Sequence, residues 1–113
     1  MLPVDELQQK LLEQRRALFR QVARVEEDLR WLDTNVEPEM EDESQEENIA
    51  RLLARLDDRG KAEIEAIDRA LTRIASGDYG RCAACGRLIP EDRLRALPTA
   101  EMCLPCTKDR ERR

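Results

Sequence analysis

Two pairs of cysteines near the C-terminus constrain the fold of this 113-residue chain more than any other feature. Each pair has the form Cys-x-x-Cys, and 17 residues separate the pairs. A two-residue gap lets both sulfurs of one turn reach the same metal ion, and two such turns complete a tetrahedron. We therefore expect one structural zinc ion, with a redox dithiol pair or an iron–sulfur cluster as the alternative. The expected ligands are Cys82, Cys85, Cys103 and Cys106.

The expected metal site argues against catalysis by this chain. Four thiolates fill the coordination sphere of zinc and leave no position for an activated water molecule. The chain contains no histidine, which removes the commonest general base. The sequence therefore predicts a binding protein rather than an enzyme.

The residues before the cysteines predict two long amphipathic helices. Apolar residues recur in steps of three and four over residues 4–32 and again over residues 49–74. Gly77 follows the second series and is a typical helix stop. Because neither helix can bury its apolar stripe alone and the connector is short, we expect an antiparallel coiled-coil hairpin with its turn near Pro38.

One glycine lies in the middle of the second series. Folding the predicted hairpin about residue 39 brings Gly60 level with Leu18 and Phe19. A glycine in a helix interior costs about 1 kcal/mol relative to alanine. It therefore either makes room for a bulky partner or is a tolerated local defect, and the sequence leaves both interpretations open.

These patterns predict a mainly α protein with two domains. Residues 1–76 form the helical hairpin, and residues 77–113 form a small four-cysteine zinc finger that ends in a short C-terminal helix. Since the finger has few apolar side chains to bury, we expect zinc binding to supply much of its folding free energy. The apolar residues available to it are Tyr79, Leu88, Ile89, Leu94, Leu97 and Leu104.

The expected turn of the hairpin is strongly acidic. Residues 37–47 contain seven carboxylates and no basic residue. The helix macrodipole favours acids at the N-terminus of the second helix. It does not explain Glu37, Glu39 and Glu41, which lie in the turn itself. The pattern alone is compatible with a solvated charged turn and with a functional tip.

The charge distribution limits the possible partners. The net charge is −5, with 12 basic and 19 acidic residues in residues 1–76 and 8 basic and 6 acidic residues in residues 77–113. A protein that coats nucleic acid or a membrane normally has a dominant basic field. Nucleic-acid binding through the basic residues of 108–113 is a minor alternative. Since no segment has the apolar length of a membrane span or a secretory signal, we expect a cytoplasmic protein that does not bind membranes.

Two runs of this sequence closely resemble the zinc finger of the DksA/TraR family, GDYGRCAACG at residues 77–86 and RLRALPTAEMCLPC at residues 93–106. The resemblance extends well beyond the cysteines. It implies a bacterial transcription regulator, a monomer, that binds RNA polymerase directly and contacts no specific DNA sequence. In that family the coiled coil enters the secondary channel of the polymerase, the finger contacts the channel rim, and acidic tip residues lie near the active centre.

The resemblance also assigns residues to the tip. The family motif is Asp-x-x-Asp-x-Ala, and counting back from Cys82 places it on Glu39, Asp42 and Ser44. The motif positions keep their negative charge, but one acid is longer and the alanine is a serine. The resemblance implies that Glu39 and Asp42 act on the catalytic Mg²⁺ neighbourhood or on the trigger elements, and Mg²⁺ prefers oxygen ligands.

Members of the family that respond to the alarmone ppGpp contribute several basic residues to its site. Of those positions, Arg59 keeps a basic residue, whereas Ala66, Leu97 and Thr107 replace the others. The resemblance therefore implies little dependence on ppGpp. Arg93 is expected to serve either the fold of the finger or a contact with the polymerase or ppGpp.

Two other functions remain open at this point. The Gre transcript-cleavage factors also carry acids on a coiled-coil tip, and those acids help the polymerase to hold a second Mg²⁺ for RNA hydrolysis. A zinc-stabilised adaptor for some other protein is the second alternative. In that case the acidic turn would only keep the hairpin in solution.

Overall fold

The computed structural model describes residues 2–24, 29, 30, 32 and 43–111. Within them lie five continuous helices, α1 (Val4–Val22), α2 (Glu43–Arg55), α3 (Asp58–Ser76), α4 (Glu91–Ala96) and α5 (Leu104–Glu111). None of the helices in these ranges is long and apolar enough to cross a membrane. The predicted fold class, mainly α with a helical hairpin and a four-cysteine finger, is confirmed.

The chain forms two compact units that do not follow the sequence in order. One unit consists of Leu12–Glu65, and the other combines Met1–Leu11 with Ala66–Arg113. The start of α1 and the C-terminal half of α3 are therefore grouped with the finger. The predicted domain boundary between residues 76 and 77 stays a prediction.

The unit of residues 12–65 has an apolar core to which α1, α2 and α3 all contribute. Each fully buried aliphatic or aromatic side chain in such a core stabilises the fold by about 1.5–3 kcal/mol relative to an exposed one. The apolar series predicted from the sequence supplies three of the buried members, whereas Phe19 and Leu52 lie one position away from the predicted Leu18 and Leu53, which are only partly buried. The buried members are Phe19, Leu32, Leu52, Leu56 and Ile64.

The first helix is shorter than the sequence predicted and ends at Val22. The N–H of Ala23 donates to the carbonyl oxygen of Arg20 at 3.4 Å, a tightened final turn. The guanidinium of Arg55 donates to the carbonyl oxygen of Val22 at 3.2 Å. A carbonyl without a partner inside the helix thus gains one from α2. The backbone is again helical at residues 29, 30 and 32.

The second predicted helix is in fact two helices, α2 and α3, with a break before Asp58. The Oδ1 atom of Asp57 accepts a hydrogen bond from the N–H of Gly60 at 2.8 Å. The carbonyl oxygen of Asp57 accepts one from the N–H of Lys61 at 2.9 Å. Asp57 is therefore the N-cap of α3 and satisfies donors that the new helix would otherwise leave open.

Of the two interpretations that the sequence left open for Gly60, the structure favours a packing role, but with neighbours other than Leu18 and Phe19. A Cβ atom on Gly60 would lie 3.0 Å from Cδ2 of Leu56 and 3.3 Å from Oδ1 of Asp57. Leu56 belongs to the buried core, and Asp57 caps α3. These two side chains, rather than Leu18 or Phe19, are the nearest neighbours that the glycine accommodates.

The end of α3 confirms the predicted stop. Gly77 has a φ of +82°, the left-handed conformation that glycine adopts most readily. The N–H groups of Asp78 and Tyr79 both donate to the carbonyl oxygen of Arg73, at 2.9 and 3.1 Å. The side chain of Arg73 in turn donates to the carbonyl oxygens of Asp78 and Arg81. Arg73 therefore fixes the direction in which the chain leaves the helix.

The cap of α3 gives the first testable prediction. Asp57→Ala should lower the free energy of unfolding by about 1 kcal/mol, because the N–H of Gly60 loses its acceptor. Asp57→Asn keeps a side-chain oxygen at the same place and should stay within about 0.5 kcal/mol of the parent chain. Urea unfolding followed by circular dichroism measures both. Equal losses in the two variants would contradict the capping role.

Candidate metal centre

The first ligand pair lies in a tight turn, residues 80–89, which we call the first knuckle. The N–H of Cys82 donates to the carbonyl oxygen of Arg87 at 2.8 Å, and the N–H of Gly86 donates to that of Cys82 at 2.9 Å. Gly86 has a φ of +76°, and a Cβ atom added to it would meet nothing within 4 Å. Backbone conformation, rather than a lack of space, therefore explains this glycine. The N–H of Ile89 closes the knuckle by donating to the carbonyl oxygen of Gly80 at 2.7 Å.

The second ligand pair lies at the start of α5, in residues 101–107, which we call the second knuckle. Cys103 immediately precedes the helix, and Cys106 lies in its first turn. The N-terminus of a helix favours negative charge, so this position suits a thiolate. The N–H of Ala83 donates to the carbonyl oxygen of Glu101 at 2.7 Å. This hydrogen bond joins the two knuckles directly.

The four sulfurs converge on one point. Their Sγ atoms all lie within 4.8 Å of one another, and those of Cys85 and Cys103 are 3.8 Å apart. A tetrahedral zinc ion with Zn–S bonds of about 2.3 Å requires sulfurs about 3.8 Å apart. None of the four cysteines is in a disulfide. The donor set and its spacing fit one structural zinc ion, as predicted.

The environment of the thiols separates their pKa values. Burial opposes ionisation of Cys82, but backbone hydrogen bonds from Cys103, Cys85 and Ala84 outweigh it and lower its pKa to about 6. Hydrogen bonds with the other three cysteine side chains raise the pKa of Cys106 to about 12. Among the metal-free thiols, Cys82 therefore ionises more readily than usual, whereas Cys106 retains its proton. Zinc must displace that proton, so its affinity falls as the pH is lowered.

The finger buries fewer apolar side chains than the sequence suggested. Tyr79, Ile89 and Leu94 are buried as expected. The expectation was wrong for three others, which are exposed: Leu88 (68%), Leu97 (48%) and Leu104 (47%). A turn-rich segment has no periodicity from which to infer which side chains face inward. The small core increases the dependence of the finger on its metal.

A buried tyrosine holds the finger together from within. The hydroxyl of Tyr79 donates to the carbonyl oxygen of Pro98 at 2.8 Å. Burial raises the pKa of Tyr79, which keeps the phenol protonated and able to donate. The hydrogen bond joins the residue that precedes the first knuckle to the segment that leads into the second.

The start of α1 belongs to the same unit as the finger, which the sequence did not indicate. The ammonium of Lys10 donates to the carbonyl oxygen of Arg95 at 2.8 Å. The guanidinium of Arg95 lies 3.3 Å from the carboxylate of Glu6. A side chain at Gly80 would overlap Leu2, so this glycine admits the N-terminal segment to the surface of the finger. Contacts between segments that lie far apart in the sequence leave no local sequence pattern, which is why the sequence did not predict them.

The other predicted site residues are placed as follows. Glu39 and Asp42 lie outside the described residues, and Ser44 lies in the first turn of α2. Arg59 is exposed in the first turn of α3. Arg93 is partly buried and makes hydrogen bonds within the finger. The functional roles predicted for these residues stay predictions.

The helical hairpin and the four-thiolate centre define the protein as a small C4 zinc-finger protein. Residues 77–112 match the family described as the prokaryotic dksA/traR C4-type zinc finger. The RNA polymerase-binding transcription factor DksA of Caulobacter vibrioides is 32% identical over 110 residues, which are 97% of this chain and 77% of that protein. The protein of the same name from Escherichia coli is 35% identical over 69 residues, but these are 61% of this chain and 46% of that protein.

Solved structures give the same assignment. The solution structure of a DnaK suppressor protein from Agrobacterium tumefaciens has a TM-score of 0.69 and 34% identity, and the match covers 96% of this chain and 95% of the other. Transcription factor DksA2 from Pseudomonas aeruginosa has a TM-score of 0.59 and 28% identity, with 96% and 83% covered. The chain belongs to the DksA/TraR family.

The metal centre gives the second prediction. The purified chain should contain about one zinc ion per molecule by elemental analysis, since four thiolates complete one tetrahedron. Cys103→Ser should lose the zinc and the protection of the Tyr79 and Leu94 amides from hydrogen exchange, because zinc binding supplies folding free energy. Ala84→Ser, an exposed position between two ligands, is the control and should retain both. Retention of the metal by Cys103→Ser would contradict the ligand assignment.

Proposed function

We propose that this chain binds RNA polymerase directly and modulates transcription without reading a DNA sequence. The observation that carries the proposal is the 32% identity, over 97% of this chain, to a protein named RNA polymerase-binding transcription factor DksA. The weakly acidic sequence supports it, because a protein of net charge −5 lacks the basic field that DNA binding requires. The protein would act in the cytoplasm, as a monomer.

The proposed mechanism places the hairpin in the secondary channel of the polymerase. Residues 37–47, with their seven carboxylates, lie between α1 and the body of α2 in the sequence. Glu39 and Asp42 would approach the catalytic Mg²⁺ or the trigger elements, where carboxylate oxygens have the greatest electrostatic effect. The polymerase would perform all the chemistry. This chain contributes no open metal position at its four cysteines, since together they fill the coordination sphere.

We also propose that the effect on transcription depends little on ppGpp. A polyphosphate ligand is bound by guanidinium and ammonium groups through charge-assisted hydrogen bonds. Arg59 could supply one such group and is exposed. Leu97 offers none, and Thr107 offers only a hydroxyl, which already takes part in hydrogen bonds to Arg93 and Cys103.

The tip is tested with the double variant Glu39→Gln and Asp42→Asn. It should still bind core RNA polymerase, but its effect on promoter-specific transcription should fall about tenfold, the equivalent of one charge-assisted interaction of about 1.4 kcal/mol. The matched control is Glu46→Gln with Glu47→Gln, which removes the same charge from exposed positions on α2. Co-purification and single-round transcription measure the two properties.

Each other outcome rejects a specific part of the proposal. Unchanged transcription by the tip variant rejects the role of Glu39 and Asp42. Stimulated RNA cleavage in stalled complexes would favour the Gre-like mechanism. Failure of the unaltered chain to bind core polymerase would reject the proposal as a whole and favour an adaptor for another protein.

The ppGpp prediction is tested by restoring a cation. Addition of ppGpp should leave the transcriptional effect of the unaltered chain unchanged. Leu97→Arg, at an exposed position, should confer a measurable response because it supplies a guanidinium. Ala96→Arg adds the same charge at the neighbouring exposed position and should confer none. A strong response of the unaltered chain would contradict this part of the proposal.

A further inference from the structure

We infer that Arg93 and Thr107 form a clamp that positions the second pair of zinc ligands and slows the release of the metal. The clamp consists of the Arg93 guanidinium, the Thr107 hydroxyl and the carbonyl oxygens of Met102 and Cys103. It is a property of the finger itself. The inference therefore goes beyond the proposed binding of RNA polymerase and does not depend on it.

The guanidinium of Arg93 bridges both sides of the ligand segment. Its Nε atom donates to the carbonyl oxygen of Met102 at 3.1 Å, immediately before Cys103. Its Nη2 atom donates to Oγ1 of Thr107 at 3.2 Å, immediately after Cys106. One rigid, planar group on α4 thus holds the two ends of the segment that carries both ligands.

Thr107 connects Arg93 to the backbone of Cys103 through hydrogen bonds. A threonine hydroxyl has one proton to donate and lone pairs with which to accept. In this structure it accepts from Arg93 and donates to the carbonyl oxygen of Cys103 at 3.0 Å. The N–H of Thr107 donates to the same carbonyl at 3.0 Å. The backbone of Cys103 is therefore fixed on both sides, and such outer contacts orient metal ligands.

The positive charge of Arg93 also favours retention of the metal by the second knuckle. Within the described part of the chain, no carboxylate forms an ion pair with Arg93. Arg95 on the same helix differs, since it pairs with Glu6 and Glu91. A centre of one Zn²⁺ and four thiolates has a formal charge of −2, so the partly buried guanidinium of Arg93 beside the ligand segment offsets part of that charge.

The attachment of α5 explains why the clamp matters. No residue of α5 is buried, so apolar packing contributes little to holding this helix on the finger. Its first turn is attached through the metal at Cys106 and through Arg93 at Thr107. When a Zn–S bond opens transiently, the clamp keeps the ligand close enough to bind again. Without the clamp, the helix and its ligand can move away.

The test measures zinc transfer from the zinc-loaded full chain to a chromogenic chelator in excess. Removing an outer partner of a metal ligand typically lowers metal affinity about 10- to 100-fold, and we expect that loss to appear as release of zinc from Arg93→Met that is faster by about the same factor. Arg93→Lys keeps the charge without the planar fork and should be intermediate. Thr107→Val should be faster than the parent chain, whereas Thr107→Ser should not. Since both residues act on the same segment, the double variant should show less than the product of the single effects.

Two controls separate positioning from general stability. Arg95→Met removes a guanidinium from the same helix whose ion pairs are with Glu6 and Glu91 rather than with the second knuckle, and it should release zinc at the parent rate. Leu94→Ala weakens the core, because Leu94 is fully buried, and it should speed release without altering the Co²⁺ absorption bands of the substituted site. Arg93→Met should alter those bands because the ligand geometry itself changes.

The inference is overturned if Arg93→Met releases zinc no faster than Arg95→Met. It is also overturned if the Co²⁺ bands of Arg93→Met match those of the parent chain, since faster release would then reflect stability alone. Should Arg93→Met fail to fold, Thr107→Val decides, because it preserves the charge and nearly the volume. Parent-like release and parent-like Co²⁺ bands in Thr107→Val would then reject the clamp.

Discussion

The convergence of four cysteine sulfurs is the constraint on which the C-terminal finger of this protein depends. Structural zinc binding in small finger peptides provides about 10–16 kcal/mol of apparent free energy at neutral pH. Burying Tyr79, Ile89 and Leu94 provides about 1.5–3 kcal/mol each. The metal is therefore the larger source of stability. It also explains how a segment with three exposed leucines can fold.

Hydrogen bonds from arginine and lysine side chains join the metal-bound finger to the helices around it. Arg73 joins the end of α3 to the first knuckle, and Lys10 joins α1 to the backbone of Arg95. Arg93 joins α4 to the second knuckle. The unit of residues 12–65 is stabilised differently, by the interlocking of Phe19 with leucine and isoleucine side chains. The protein thus combines a coordination-dependent unit with one that depends on apolar packing.

The sequence predicted the features that follow from spacing. Two Cys-x-x-Cys pairs indicate the metal, and a glycine after an apolar series indicates a helix end. It missed the break at Asp57 because the apolar period continues through it without interruption. It also missed the contacts of Arg93, which joins residues 9 and 14 positions away through carbonyl and hydroxyl oxygens. Such contacts depend on tertiary structure and follow no periodic rule. Glu39 and Asp42 were assigned only by resemblance.

The finger unit is built from two separate pieces of chain, and this limits where the length of the protein can change. Its N-terminal piece, Met1–Leu11, and its C-terminal piece, Ala66–Arg113, are joined through the intervening unit of Leu12–Glu65. For a flexible connection, the entropy of closing a loop grows only logarithmically, by about 0.6 kcal/mol for each doubling in length. In the unfolded chain, where this connection is flexible, an insertion or deletion within residues 37–47 would therefore change the closure entropy very little. We therefore expect the metal-bound unit to tolerate a change in the length of residues 37–47 better than a change within either of its own two pieces.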